Sequence, residues 1–199
     1  KPVLQFGLAY AEFLLARNQP ARAEVVASEA LQAEPTNVPA MRIVAQARIN
    51  QSDWSGAQAM ANEINKLEGQ EQLAEQIRGA VFAASKDYAG SIAAFRRAYD
   101  VAPSKVQPMV TLVRSYLLAG KAGEAMDFLG SVIQASPENV TALLLLGELQ
   151  AANGDSAEAV QSFERVIDLQ PQNTAGYTNL ANLRMREGHT DAAEQVIEI

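Results

Sequence analysis

Apolar residues return every third or fourth position along this chain, in runs of about a dozen residues broken by short polar turns. Between 140 and 173 the pattern is clearest. Leu143, Leu146 and Gly147 fall at i, i+3 and i+4, one face of an amphipathic helix. Asn153-Gly154-Asp155 then interrupts it, because glycine favours a turn and aspartate can cap a following helix. Ala159, Phe163 and Val166 resume the stripe on a second helix, and Pro171 ends it by removing a ladder hydrogen bond.

This pair of helices recurs. Prolines at 35, 103, 137 and 171 sit 68, 34 and 34 residues apart, and Gly69 occupies the skipped position. The units run 4–37, 38–71, 72–105, 106–139 and 140–173, with a partial sixth over 174–199. Their internal turns are Asn18-Gln19-Pro20, Gln51-Ser52-Asp53, Ser85-Lys86-Asp87, Ala119-Gly120-Lys121, Asn153-Gly154-Asp155 and Glu187-Gly188-His189. Asn37, Asn139 and Asn173 follow the terminal turns and are expected as N-caps. The pattern predicts eleven or twelve helices and no strands.

Helix–turn–helix units of 34 residues with this pattern resemble the tetratricopeptide repeat (TPR). The fifth unit carries the signature as Leu143, Leu146, Gly147, Gln150, Ala159, Phe163, Val166 and Pro171. The fourth carries Met109, Leu112, Val113, Tyr116, Ala125, Leu129, Val132 and Pro137. The third fits at Gly79, Phe82, Ser91, Phe95, Ala98 and Pro103, but Glu75 and Arg78 depart from it. The resemblance covers nearly the whole chain. It implies an all-α, right-handed superhelix of antiparallel helix pairs, about 5.5 repeats forming one solenoid over 1–199. The junction of the second and third units departs most, with Ala61, Gly69 and Glu75 in place of bulky or rigid residues. A weak seam is expected there, between 62 and 76, as the least protected internal segment in hydrogen exchange.

Composition agrees with close helix packing. Of 199 residues, 48% are apolar but only 6% aromatic, and alanine is abundant. Net charge is −7, and no basic cluster exceeds Arg96–Arg97. Nucleic acid is therefore not expected as a partner, since phosphate neutralisation needs a basic face. There is no cysteine, which excludes disulfides and cysteine zinc sites. No apolar run is long enough to span a membrane. The chain starts without methionine and stops within the pattern, and it reads as a piece of a longer protein.

Candidate chemistry is sparse. His189, the one histidine, lies in a turn with Asp191 near it but no nucleophile, and an exposed turn residue is expected. Glu68, Glu71 and Glu75 share a helix face and are expected to be solvated rather than to hold a metal. Asp155 and Glu158 suit capping and the helix dipole. Gly79 and Gly147 share one repeat position inside helices, where close packing is the expected reason. No catalytic, cofactor or metal site is assigned, and the chain is read as non-enzymatic.

The resemblance implies that the first helix of each repeat lines a concave face. The candidate groove residues are Arg42, Gln46, Gln76, Gln107, Val110, Arg114, Thr141, Leu144, Glu148, Thr178 and Asn182. Amides, aliphatics and isolated charges suit a peptide or helix laid along the groove, with Arg42 and Arg114 available to acidic side chains. The clamp by which some TPR proteins hold chaperone carboxyl termini needs lysines that are absent here. The expected function is a protein-interaction scaffold. The alternatives are a spacer that self-associates end to end through Ala192, Ala193, Val196 and Ile197, or a regulatory array attached to an enzyme elsewhere. The alanine- and glutamine-rich repeats also resemble bacterial TPR lipoproteins of exosortase/PEP-CTERM and exopolysaccharide export systems, which implies an envelope location.

Overall fold

A computed structural model describes the backbone of residues 2–197 and the side chains of 5–196. Twelve helices follow one another among the described residues, with no strand: α1 (Pro2–Ala16), α2 (Pro20–Ala33), α3 (Val38–Asn50), α4 (Trp54–Asn65), α5 (Glu71–Ala84), α6 (Tyr88–Val101), α7 (Val106–Leu118), α8 (Ala122–Ala135), α9 (Val140–Asn153), α10 (Ser156–Leu169), α11 (Thr174–Arg186) and α12 (Thr190–Ile197). They fall into two compact units, Lys1–Ala119 and Gly120–Ile199. The division lies in the turn inside the fourth repeat rather than between repeats.

The caps explain the helix starts. Asn37, Asn139 and Asn173 accept hydrogen bonds from the backbone N–H of Ala40 (3.0 Å), Ala142 (3.0 Å) and Ala175 (3.1 Å). Asp53 and Asp87 do the same for Gly56 and Gly90, both at 2.9 Å. Asp155 differs from expectation. Its carboxylate accepts from the Asn153 amide at 2.8 Å and makes no cap bond to α10. The two side chains meet across the turn before either reaches the helix.

The first unit packs in sequence order. Ala11, Leu14, Ala23, Ala27, Ile43 and Val44 join α1, α2 and α3. Met41, Ala45, Ile49, Ala57, Ala61, Ile64, Ala74, Ile77 and Val81 join α3, α4 and α5. Alanine at so many of these positions lets helix axes approach closely. The second cluster runs through the expected seam, so the apolar packing is unbroken there. Trp54 and Leu67 pack against its edge. Gly69 supplies a left-handed turn (φ 73°) where the other repeats carry proline.

Glu75 is not solvated as its sequence setting suggested. Its side chain is only 12% exposed and is held by Arg78 and by Arg97, the latter at 2.8 Å. Arg78 also donates to Asn62 at 3.0 Å. A network across α4, α5 and α6 thus replaces the usual apolar residue, and the surrounding donors are what make a half-buried carboxylate tolerable. Glu68 and Glu71 are exposed, and no cluster of three metal-ligating side chains occurs among the described residues. A second polar contact lies deeper: the buried hydroxyls of Ser91 and Ser115 share a hydrogen bond of 2.9 Å between α6 and α7.

In the second unit Ala151, Ala159, Phe163, Leu180 and Leu183 form the core of α9, α10 and α11. Gly147 serves Phe163 as Gly79 serves Phe95. A methyl group on Gly147 would stand 2.6 Å from the Phe163 ring, and one on Gly79 would stand 2.8 Å from the Phe95 ring. Each glycine is the seat of an aromatic ring from its partner helix. Ala193 is buried at 3% exposure rather than presented on the outer face of α12, while Ala192 and Val196 are half-buried. The side chain of Ile197 lies outside the described residues.

Candidate functional site

Three first helices of the first unit, α3, α5 and α7, bring four of the candidate residues together. Arg42 and Gln46 project from α3, Gln76 from α5 and Gln107 from α7, around a concavity of about 330 Å3. The size is near the lower end of ligand pockets, roughly 300–1,000 Å3. Ile49, Leu73, Ile77, Ala80 and Phe95 contribute its apolar surface, and Thr111 joins the polar rim. The Phe95 ring reaches it from α6, seated over Gly79, so the packing device of the repeat also shapes the site.

Ile77, Phe95 and Thr111 were not among the candidate residues. Thr111 lies four residues after Gln107, and Ile77 four after Leu73, itself three before Gln76, so both continue a helix face that carries an expected groove position. That face was the legible signal for them. Phe95 sits on a second helix and could be found only through its packing.

The rim has a defined charge state. Arg42 is ion-paired with Glu12 of α1, and both side chains are about half exposed. Gln46 donates to Asn50 at 2.8 Å. Val110 is half-buried on α7, and Arg114 is exposed there with no ion pair among the described residues.

The remaining candidates belong to the second unit. Thr141, Leu144 and Glu148 lie on α9, and Thr178 and Asn182 on α11. Leu144 is half-buried against the Phe163 core, so part of its surface serves packing. Glu148 accepts from Asn179 at 3.1 Å. Thr178 and Asn182 line a concavity of about 480 Å3 with Tyr177, Ala181, Met185 and Val196. His189 is exposed, with Glu187 at 3.6 Å and no nucleophile in hydrogen-bond contact among the described residues. No helix is long and apolar enough to cross a membrane among the described residues.

The comparisons with known proteins agree with this architecture. A tetratricopeptide repeat family model matches residues 116–161 and 150–198. No curated protein sequence matches significantly. Among solved structures, PilF of Pseudomonas aeruginosa superposes with a TM-score of 0.63 at 14% identity, covering 97% of this chain and 88% of that one. A thermophilic TPR protein of Thermus thermophilus gives 0.58 at 14% identity, covering 92% and 99%. YrrB, described as a TPR protein with an unusual peptide-binding site, gives 0.50 at 16% identity, covering 85% and 88%. At such identities the structures speak for the fold, and the family model speaks for the sequence. Residues 116–198 thus match the tetratricopeptide repeat model in sequence, and the solved structures share the helix-pair fold over nearly the whole chain.

Proposed function

We propose that the chain is a non-catalytic protein-interaction scaffold that takes an extended peptide in the concavity of α3, α5 and α7. One observation carries this reading: three glutamines, Gln46, Gln76 and Gln107, come from three successive first helices to the rim of one apolar hollow. A carboxamide both donates and accepts, so a row of them can bond a peptide backbone whatever its sequence. The hollow beneath takes one side chain. The unusual peptide-binding site described for YrrB supports the same use of the fold. An envelope or export setting comes only from the resemblance of the repeats to bacterial lipoproteins.

A library of random ten-residue peptides passed over the immobilised protein tests the proposal. Ala80→Glu places a charged side chain in the hollow and is expected to lower peptide retention at least tenfold, with the melting transition kept. Gln76→Lys, on the half-exposed rim, serves as a second variant should Ala80→Glu fail to fold. Retention that survives both variants overturns the reading.

A second reading, end-to-end self-association through the C-terminal helices, is favoured by the α11 hollow, where Met185 is 57% exposed. Light scattering separates the two. A dimer that survives dilution and is lost in Val196→Glu supports self-association, and a monomer at all concentrations overturns it.

A further inference from the structure

Resting on the peptide reading above, we infer that the groove selects peptides carrying an acidic side chain within two or three residues of an apolar anchor. The inference comes from the charges on the groove face of the first unit. The first helices place three charged residues on that face: Glu12, Arg42 and Arg114. Glu12 and Arg42 are ion-paired with one another, so each neutralises the other. Arg114 is exposed and has no carboxylate partner among the described residues. The groove face therefore carries one uncompensated charge, and it is positive.

A second cation points the same way. Lys105 stands two residues before Gln107, at the start of α7. Its ammonium donates to the neutral Gln72 amide of α5 at 2.9 Å and meets no carboxylate. Gln72 adjoins Leu73, which lines the hollow. The α7 rim is thus bracketed by Lys105 and Arg114, with Gln107 and Thr111 between them. Helices rise about 1.5 Å per residue, so Arg114 lies roughly 4.5 Å along α7 from Thr111, within side-chain reach of the hollow. An extended peptide advances about 3.3 Å per residue. An acidic residue two or three positions from the anchored one then falls within the guanidinium's span.

The whole-chain charge of −7 does not oppose this. Charges more than about 8 Å from the ligand are largely screened at physiological ionic strength, whereas a contact pair on a half-desolvated rim is not. Arginine holds a carboxylate through two parallel N–H bonds, which gives direction as well as attraction. An apolar hollow alone would accept any aliphatic side chain. The unpaired guanidinium beside it is what adds a sequence requirement.

The test uses ten-residue peptides with one fixed leucine and randomised flanks, passed over the immobilised protein and sequenced after elution. Wild type is expected to enrich aspartate and glutamate at least threefold at two or three positions from the leucine. Arg114→Gln is expected to abolish that enrichment and to weaken an enriched acidic peptide three- to tenfold, while leucine-dependent retention persists. Arg114→Glu should reverse the preference toward lysine and arginine. Lys66→Gln, at the end of α4 outside the hollow and paired with Glu63, should leave the acidic preference in place. Retention without any acidic preference, or a preference unchanged in Arg114→Gln, overturns this inference alone. Failure to retain any peptide overturns the peptide reading with it.

Discussion

Six turns in the molecule demand the same left-handed backbone, and the two ends of the chain meet the demand differently. In the first three repeats the residue is Asn18, Ser52 and Lys86, with φ of 56°, 61° and 64°. In the last three it is Gly120, Gly154 and Gly188, with φ of 72°, 96° and 83°. All six occupy the same repeat position. A side chain in this region costs about 1–2 kcal/mol, while glycine adopts it freely. The difference teaches that helix packing, not turn chemistry, imposes this backbone. Where glycine is absent, the packed helices on either side still force the turn, and the strain stays local.

Core substitutions test whether the two ends are otherwise equivalent, and they carry the largest expected effects. Phe95→Ala and Phe163→Ala each empty the same repeat position and should each cost about 3–5 kcal/mol in urea unfolding. A clear inequality would show that the core as well as the turn differs between them. Gly79→Ala and Gly147→Ala come next. Each methyl group would press on a buried ring, and overpacking of this kind costs about 1–3 kcal/mol. Neutral outcomes at both would contradict the close seat of the rings.

The turns themselves give smaller and opposite effects. Ser52→Gly and Lys86→Gly should each stabilise by about 0.5–1 kcal/mol, the relief of strain less the entropy that glycine adds to the unfolded chain. Gly154→Ser should destabilise by about 1–2 kcal/mol. Asn18→Gly should gain least, since asparagine tolerates this region best among the three. The same sign for Ser52→Gly and Gly154→Ser would break the comparison.

The smallest effect concerns acid. The Asp53 carboxyl is held below its ordinary value of 3.8 by the Gly56 backbone N–H first, then by the Ser55 hydroxyl and the Arg48 charge. A depressed folded value means that the Asp53 contribution is complete above the unfolded value and is lost as pH falls through the folded one. Asp53→Asn keeps a good capping residue but removes the titration. Its urea midpoint should therefore fall less steeply than wild type below about pH 4. Asp155→Asn, where the carboxylate does not cap its helix, provides the control in the other unit.

Much of this was legible in the sequence because repetition averages out local noise. The spacing of Leu143, Leu146 and Gly147 foretold a helix, and Asn37, Asn139 and Asn173 foretold caps, since each rests on local backbone chemistry. Gly79 and Gly147 pointed to close packing, and the rings of Phe95 and Phe163 supply it. Non-local pairings were not legible. Nothing in the sequence shows that Glu12 neutralises Arg42 across 30 residues, or that Arg97 comes 22 residues back to hold Glu75. The left-handed turns at Ser52 and Lys86 were also hidden, because neither residue type signals positive φ. Of the candidate groove, Arg42, Gln46, Gln76 and Gln107 converge on one hollow, whereas Thr178 and Asn182 line another in the second unit.

The central claim is that the hollow of α3, α5 and α7 holds a peptide. Backbone amide NMR of the protein titrated with a library-selected acidic peptide tests it most directly. The largest perturbations are expected at Gln46, Gln76, Ile77, Gln107 and Thr111, extending along α7 to Arg114. Perturbations confined to α11 around Thr178 and Asn182 would contradict it.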